Sequence, residues 1–187
     1  MKKYELEIIN DEGTESPRTS MDNVTTMICF HRNYNLGDKH NYKRNDFNSL
    51  EELKEQICED YNVFMILPIY LLDHSGITIS TTSFNDRWDS GQVGWVFIEE
   101  KKWKNMMGED MDRSEDRLIR IIDGDIETYD NYLRGEVYRY EVYEVEECNL
   151  GHTHKTFIEG CGGYYDYEDC KSEGESIVES LLEKVPS

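Results

Sequence analysis

An α+β fold with a mainly antiparallel sheet and about three helices, forming a single domain over residues 1–187, follows from three features of the sequence. Short β-branched and aromatic segments recur along the chain, separated by turn residues at hairpin-length spacing. Three other segments carry apolar residues at helical spacing. The two kinds are interspersed without the strict alternation that winds a parallel sheet. A hydrophobic content of 37% with 12% aromatics is low, but it suffices for a core.

Residues 4–9 (YELEII) begin with strand alternation, and 10–22 hold Gly13 and Pro17, so they read as a loop. Residues 24–30 (VTTMICF) are β-branched and apolar, a second strand. Residues 31–48 form a long polar loop with Gly37 and a basic cluster of Arg32, Lys39, Lys43 and Arg44. Loops of that length within a compact domain are often functional. Ser49 opens a helix, with Glu52 completing a capping box and Leu50, Leu53 and Ile57 on one face. Residues 63–72 (VFMILPIYLL) are a strand whose Pro68 predicts an edge position or a bulge. The turn 73–76 leads into a hairpin partner at 77–82, and 93–98 form a further strand after the polar segment 85–92.

Ser114 is placed to cap the clearest helix, in which Leu118, Ile121, Ile122, Ile126, Tyr129 and Leu133 share a face and Gly135 ends the pattern. Gly124 predicts a weak middle, with a kink or break there. Residues 136–145 read as an aromatic strand pairing with 154–158 after a turn at 149–151. An amphipathic helix over 172–185 closes the chain, through Ile177, Leu181, Leu182 and Val185.

Charge narrows the function. Forty Asp and Glu against twenty Lys and Arg leave a net charge of −20. Residues 1–98 carry 16 acids and 9 bases, whereas the acidic C-terminal half, 99–187, carries 24 acids and 11 bases. Such a field disfavours anionic membranes and a direct grip on nucleic-acid phosphates, except through the basic 31–44 loop. It favours a partner that itself holds polyanions. The carboxylates predicted to face that partner are Glu109, Asp110, Asp112, Glu115, Asp116, Asp123, Asp125, Glu127 and Asp130, with Tyr138, Tyr140 and Tyr143 as aromatic anchors. Charges at the start of the chain stand where a secretion signal needs an apolar stretch, and no run suits a bilayer span. A cytoplasmic protein with free cysteines is therefore expected.

Motifs that carry chemistry are few. Cys148, His152, His154, Cys161 and Cys170 are the candidates for a metal site, but they lack the tight Cys-x-x-Cys spacing of structural zinc, and no cofactor is predicted. Residues 110–121 open like a calcium loop but have Glu115 at position six and Ile121 at position twelve, which excludes an EF-hand. A nucleophile would be Cys29, served by His31, His74 or His152 and oriented by Asp38 or Asp73. Walker, Rossmann and Gly-x-Ser-x-Gly patterns are all absent. Trp88-Asp-Ser-Gly-Gln-Val-Gly-Trp95 is the most unusual string, two indoles bracketing two glycines.

Several strings together resemble a group of proteins carried by bacteriophages and mobile elements. They are 16–18 (SPR), 26–31 (TMICFH), 34–38 (YNLGD), 67–70 (LPIY), 73–77 (DHSGI), 88–94 (WDSGQVG) and 129–135. In size and charge the chain is also similar to counter-defence inhibitors, including anti-CRISPR proteins and DNA mimics. These resemblances imply an inhibitor in the cytoplasm of an infected or carrier bacterium, bound to the nucleic-acid channel of a defence nuclease such as a CRISPR effector or restriction enzyme. They transfer no catalytic residue. The competing expectations are a small hydrolase-like Cys/His/Asp enzyme and a structural or regulatory phage protein.

Overall fold

The computed structural model describes residues 3–86, 88–109 and 111–183. The α+β class holds, with seven strands and five helices among these residues rather than about three helices. The chain divides into two compact units: the described residues up to 15 join those from 135 onward, and 16–134 form the other. No linker composition marks either boundary.

In the 16–134 unit, strands β2 (Thr25–Cys29), β3 (Val63–Asp73), β4 (Ile77–Ser80) and β5 (Ser90–Glu99) form an antiparallel sheet in the order β2-β5-β3-β4. Helix α2 (Leu50–Asp60) supplies Leu53 and Ile57 to one face, against Ile28, Trp95 and Phe97. Helices α3 (Glu100–Met107) and α4 (Glu115–Leu133) cover the other, where Trp103, Leu118, Ile122, Ile126 and Tyr129 meet Met27, Ile69, Leu71, Val96 and Ile98. Neighbouring residues of β5 thus enter opposite cores, which is why its apolar run does not alternate. A short helix, α1 (Pro17–Ser20), precedes β2, with Pro17 in its first turn and the Ser16 hydroxyl accepting from the Arg18 amide.

Pro68 lies in an interior strand, yet β4 pairs only with Tyr70–Asp73, so β3 is locally an edge at Pro68. A register shift between Ile69 and Tyr70 follows immediately. Ser49 caps α2 by accepting the Glu52 amide at 3.1 Å, but Glu52 returns its bond to the Asn48 amide at 2.7 Å, one residue earlier than a capping box has it. Ser114 does not cap α4 with its side chain: its hydroxyl donates to Asp112 instead. α4 runs unbroken through Gly124, because four buried apolar residues hold it to the sheet more strongly than one glycine loosens it.

In the other unit, β1 (Lys3–Asn10), β6 (Tyr138–Glu147) and β7 (Thr153–Tyr164) form an antiparallel sheet in the order β1-β6-β7. Helix α5 (Tyr167–Glu183) packs on one face through Cys170, Ile177, Val178 and Leu181, against Leu6, Ile8, Tyr140 and Val142. Strand β7 is more than twice the predicted length: it runs on through Gly160, which pairs with Glu141, and past Gly162 beside two register shifts. α5 starts five residues earlier than predicted, behind Asp166, whose carboxylate accepts the Asp169 amide at 2.9 Å. Val185 of the predicted closing helix lies outside the described residues.

Candidate functional site

The longest loop of the 16–134 unit, 31–44, is fixed at its centre. Gly37 bridges to Ile28 with φ +73, and a Cβ there would meet the Met27 carbonyl oxygen at 2.7 Å, so only glycine fits. The Gly37 amide donates to the Tyr129 hydroxyl at 3.0 Å, and the Asp38 amide to Met27 O at 2.8 Å. Asp38 then receives the buried Arg18 guanidinium in a two-point pair and also accepts the Met27 amide. Arg18 further donates to the Thr25 carbonyl at 2.9 Å, and Thr25 gives its hydroxyl to Asp125 at 2.6 Å. Residues 16–18, 26–31 and 34–38 thus converge on one buried polar network.

Beyond this anchor opens a cleft of ≈ 1070 Å³. One side is the 31–44 loop, bringing Arg32, Lys39, Lys43 and Arg44; the other brings Asp73 at the hairpin and the 88–93 string. The acids of the cleft each have a hydrogen-bond partner, and only Asp38 meets a permanent cation, leaving two carboxylates against four bases. Asp38 holds Arg18, Asp73 accepts the Tyr34 hydroxyl at 3.2 Å, and Asp89 lies 3.1 Å from His74 Nδ1. Among the described residues, Arg32, Lys39 and Lys43 make no ion pair, so the cleft is a cationic patch on an acidic chain. Arg44 bonds the Phe47 carbonyl at 2.7 Å.

Two aromatic features shape it. His31 stacks on Tyr34 at 4.9 Å, and His40 sits edge-on to Phe30 at 5.2 Å. His40 Nε2 lies 3.2 Å from the Cys29 carbonyl, which can only accept, so this nitrogen carries the proton. His40 Nδ1 is buried without a hydrogen-bond partner. Trp88 is 95% exposed. Asp86 presents it, its carboxylate accepting the Trp88 and Asp89 amides at 2.8 and 3.0 Å. Those backbone bonds, from Asp89 first, hold the Asp86 carboxyl below its ordinary range.

The predicted nucleophile does not fit this site. The Cys29 thiol is pushed up to about 12, chiefly by burial and then by the Asp38 charge, so it stays protonated. The metal candidates do not assemble either. Cys170 is buried on the packed face of α5, Cys161 is exposed on β7, and Cys148 and His152 pair only through backbone atoms at a turn. Among the described residues no three His, Cys, Asp or Glu side chains gather into a metal site.

The predicted acidic face is divided. Glu109, Asp112, Glu115, Asp116, Asp123 and Glu127 are exposed, and Asp110 lies outside the described residues. Asp125 and Asp130 instead hold the fold together: Asp125 serves Thr25 and Arg18, while Asp130 accepts from the Thr78 hydroxyl and the Ile79 amide. Arg117 and Arg120 interrupt the face of α4. Of the tyrosines, Tyr140 is a buried core residue, and Tyr138 packs edge-on against Tyr167 at 5.4 Å. Tyr143 lies on the sheet face away from α5, beside exposed Phe157 at 5.8 Å and Lys155, which also binds Glu5 and Glu7.

The denser acidic surface was not predicted. On α5, Glu168, Asp169, Glu173, Glu175, Glu179 and Glu183 are all exposed, with Lys171 as the helix's one base. Residues 1–15 and 135–187 together hold 18 acids and 6 bases, against 22 and 14 in 16–134. Counting charge by sequence halves placed α5 within the acidic half but did not separate it from α4, which lies in the other unit.

No protein-family model, curated protein or solved structure matches the chain. Among the described residues no helix is long and apolar enough to cross a membrane.

Proposed function

We propose that the protein is an acidic inhibitor that occupies the nucleic-acid-binding channel of a basic defence nuclease, a CRISPR effector or a restriction enzyme. The observation that carries the reading is the charge on α5. Asp169–Glu173, Glu175–Glu179 and Glu179–Glu183 are like-charged pairs at i,i+4, each costing a helix about 0.2–0.5 kcal/mol. Glu179 and Glu183 also crowd the C-terminal end, where the helix dipole disfavours anions and the last turn within the described residues holds no base. Solubility needs charge but not this placement. A rise of about 1.5 Å per residue sets Glu175, Glu179 and Glu183 in a row with steps of about 6 Å. A rigid row of carboxylates suits a channel built to hold phosphates. The exposed acids of α4 and Glu109 and Asp112 before it are a secondary contact surface in this reading.

Titration of the protein into DNA cleavage by such nucleases tests it. Inhibition should weaken as salt rises, and changing Glu173, Glu175, Glu179 and Glu183 to Gln should weaken it at least about tenfold. If that variant, folded by circular dichroism, inhibits as well as the parent, the acidic-helix reading is wrong.

A further inference from the structure

The cationic cleft belongs to neither the fold's needs nor the acidic surface. We propose that it binds a small phosphorylated ligand with an aromatic base, a mononucleotide by chemical class. This inference is independent of the inhibitor reading.

Arg32, Lys39 and Lys43 supply charge for a phosphate, and none is used by an ion pair among the described residues. Of the acids nearby, only Asp38 meets a permanent cation, Arg18; Asp73 bonds the Tyr34 hydroxyl and Asp89 lies beside His74, so two carboxylates stand against the four bases Arg32, Lys39, Lys43 and Arg44. Trp88, exposed at 95% and held out by the Asp86 turn, offers an indole face on which a base can stack. A volume of ≈ 1070 Å³ is at the upper end for small-molecule sites and accommodates base, sugar and phosphates.

Net charge decides between a free nucleotide and a strand. Each phosphate of a polymer that extends past the cleft meets the field of a chain at −20. A mononucleotide keeps its phosphates among the cations.

The test is titration of the full chain with adenosine triphosphate, adenosine, inorganic tripolyphosphate and a ten-residue oligothymidylate at about 0.1 M salt. Calorimetry gives affinity, and fluorescence gives stacking, because Trp95 and Trp103 are buried and Trp88 alone of the three is exposed. The nucleotide should bind and quench Trp88. Adenosine and tripolyphosphate should each bind at least about tenfold more weakly, since each keeps one half of the recognition. Lys39→Ala with Lys43→Ala should weaken nucleotide binding at least about tenfold, and Trp88→Ala about fivefold or more, without changing the melting temperature. No nucleotide binding at millimolar concentration overturns the proposal, as does binding indifferent to both variants. Tripolyphosphate binding as tightly as the nucleotide overturns the base subsite. An oligonucleotide binding tighter than the nucleotide overturns the small-ligand class in favour of a single strand.

Discussion

Arg18 and Asp38 form a two-point ion pair, Nε to Oδ1 at 3.0 Å and Nη2 to Oδ2 at 2.7 Å, with the Arg18 side chain 1% exposed. The pair joins α1, before β2, to the loop after it, and Asp38 also accepts the Met27 amide, so breaking it releases both ends of a strand. Removing one partner of a buried pair leaves the other charge uncompensated.

Arg18→Met is therefore expected to cost about 3–5 kcal/mol in urea unfolding. Arg18→Met with Asp38→Asn should cost less than the two single changes summed, by about 1 kcal/mol or more, because the groups share a network. A single-variant loss below about 1 kcal/mol would show that the network does not hold β2.

Gly94 and Gly124 respond oppositely to alanine. A Cβ at Gly94 would lie 2.0 Å from the Ile28 carbonyl oxygen and 2.8 Å from Cys29 Cα, both backbone, so β2 and β5 must part. Gly94→Ala should destabilise by about 3 kcal/mol or more. Gly124 is exposed in the middle of α4 with nothing within 4 Å of the added atom. There alanine should stabilise by about 1 kcal/mol. Thermal unfolding of the two variants beside the parent checks both signs, and a destabilising Gly124→Ala would mean that α4 needs its glycine.

These residues also show where the sequence was legible. The core helices and the apolar strands could be read from periodicity, because burial imposes the spacing of Leu118, Ile122 and Ile126 and the run through Val96, Phe97 and Ile98. α3 escaped: eight residues rich in Lys and Met bury one large side chain, Trp103, which is too short a pattern to stand out. The glycines of β7 misled because sequence cannot tell a bulged strand from a turn. At the site, the long basic loop and the Trp88 string were each visible, but the loop's anchoring beside the cleft depends on Gly37 meeting Met27 and Tyr129 and on Asp38 meeting Arg18, contacts that no local pattern reveals. The acidic face was misjudged for a related reason: Asp125 and Asp130 look like surface carboxylates until their hydroxyl and amide partners from other strands are in place.

The charge of α5 makes a last prediction, about stability rather than binding. Its like-charged pairs and the net charge of −20 both oppose folding, and both are screened by salt, with a Debye length of about 10 Å at 0.1 M. Raising sodium chloride from about 0.02 to 0.5 M should therefore raise the melting temperature. Glu179→Gln should raise it at low salt, since the repulsive pairs with Glu175 and Glu183, at about 0.2–0.5 kcal/mol each, are both removed while the Lys171–Glu175 pair is kept. The same variant should show a smaller response to salt, because part of what salt screens is gone. The Arg18–Asp38 pair is buried and screened little, so it should not reverse the sign. A melting temperature that falls with salt would show that surface ion pairs such as Lys155 with Glu5 and Glu7 outweigh the repulsion, and that the acidic helix carries no stability cost.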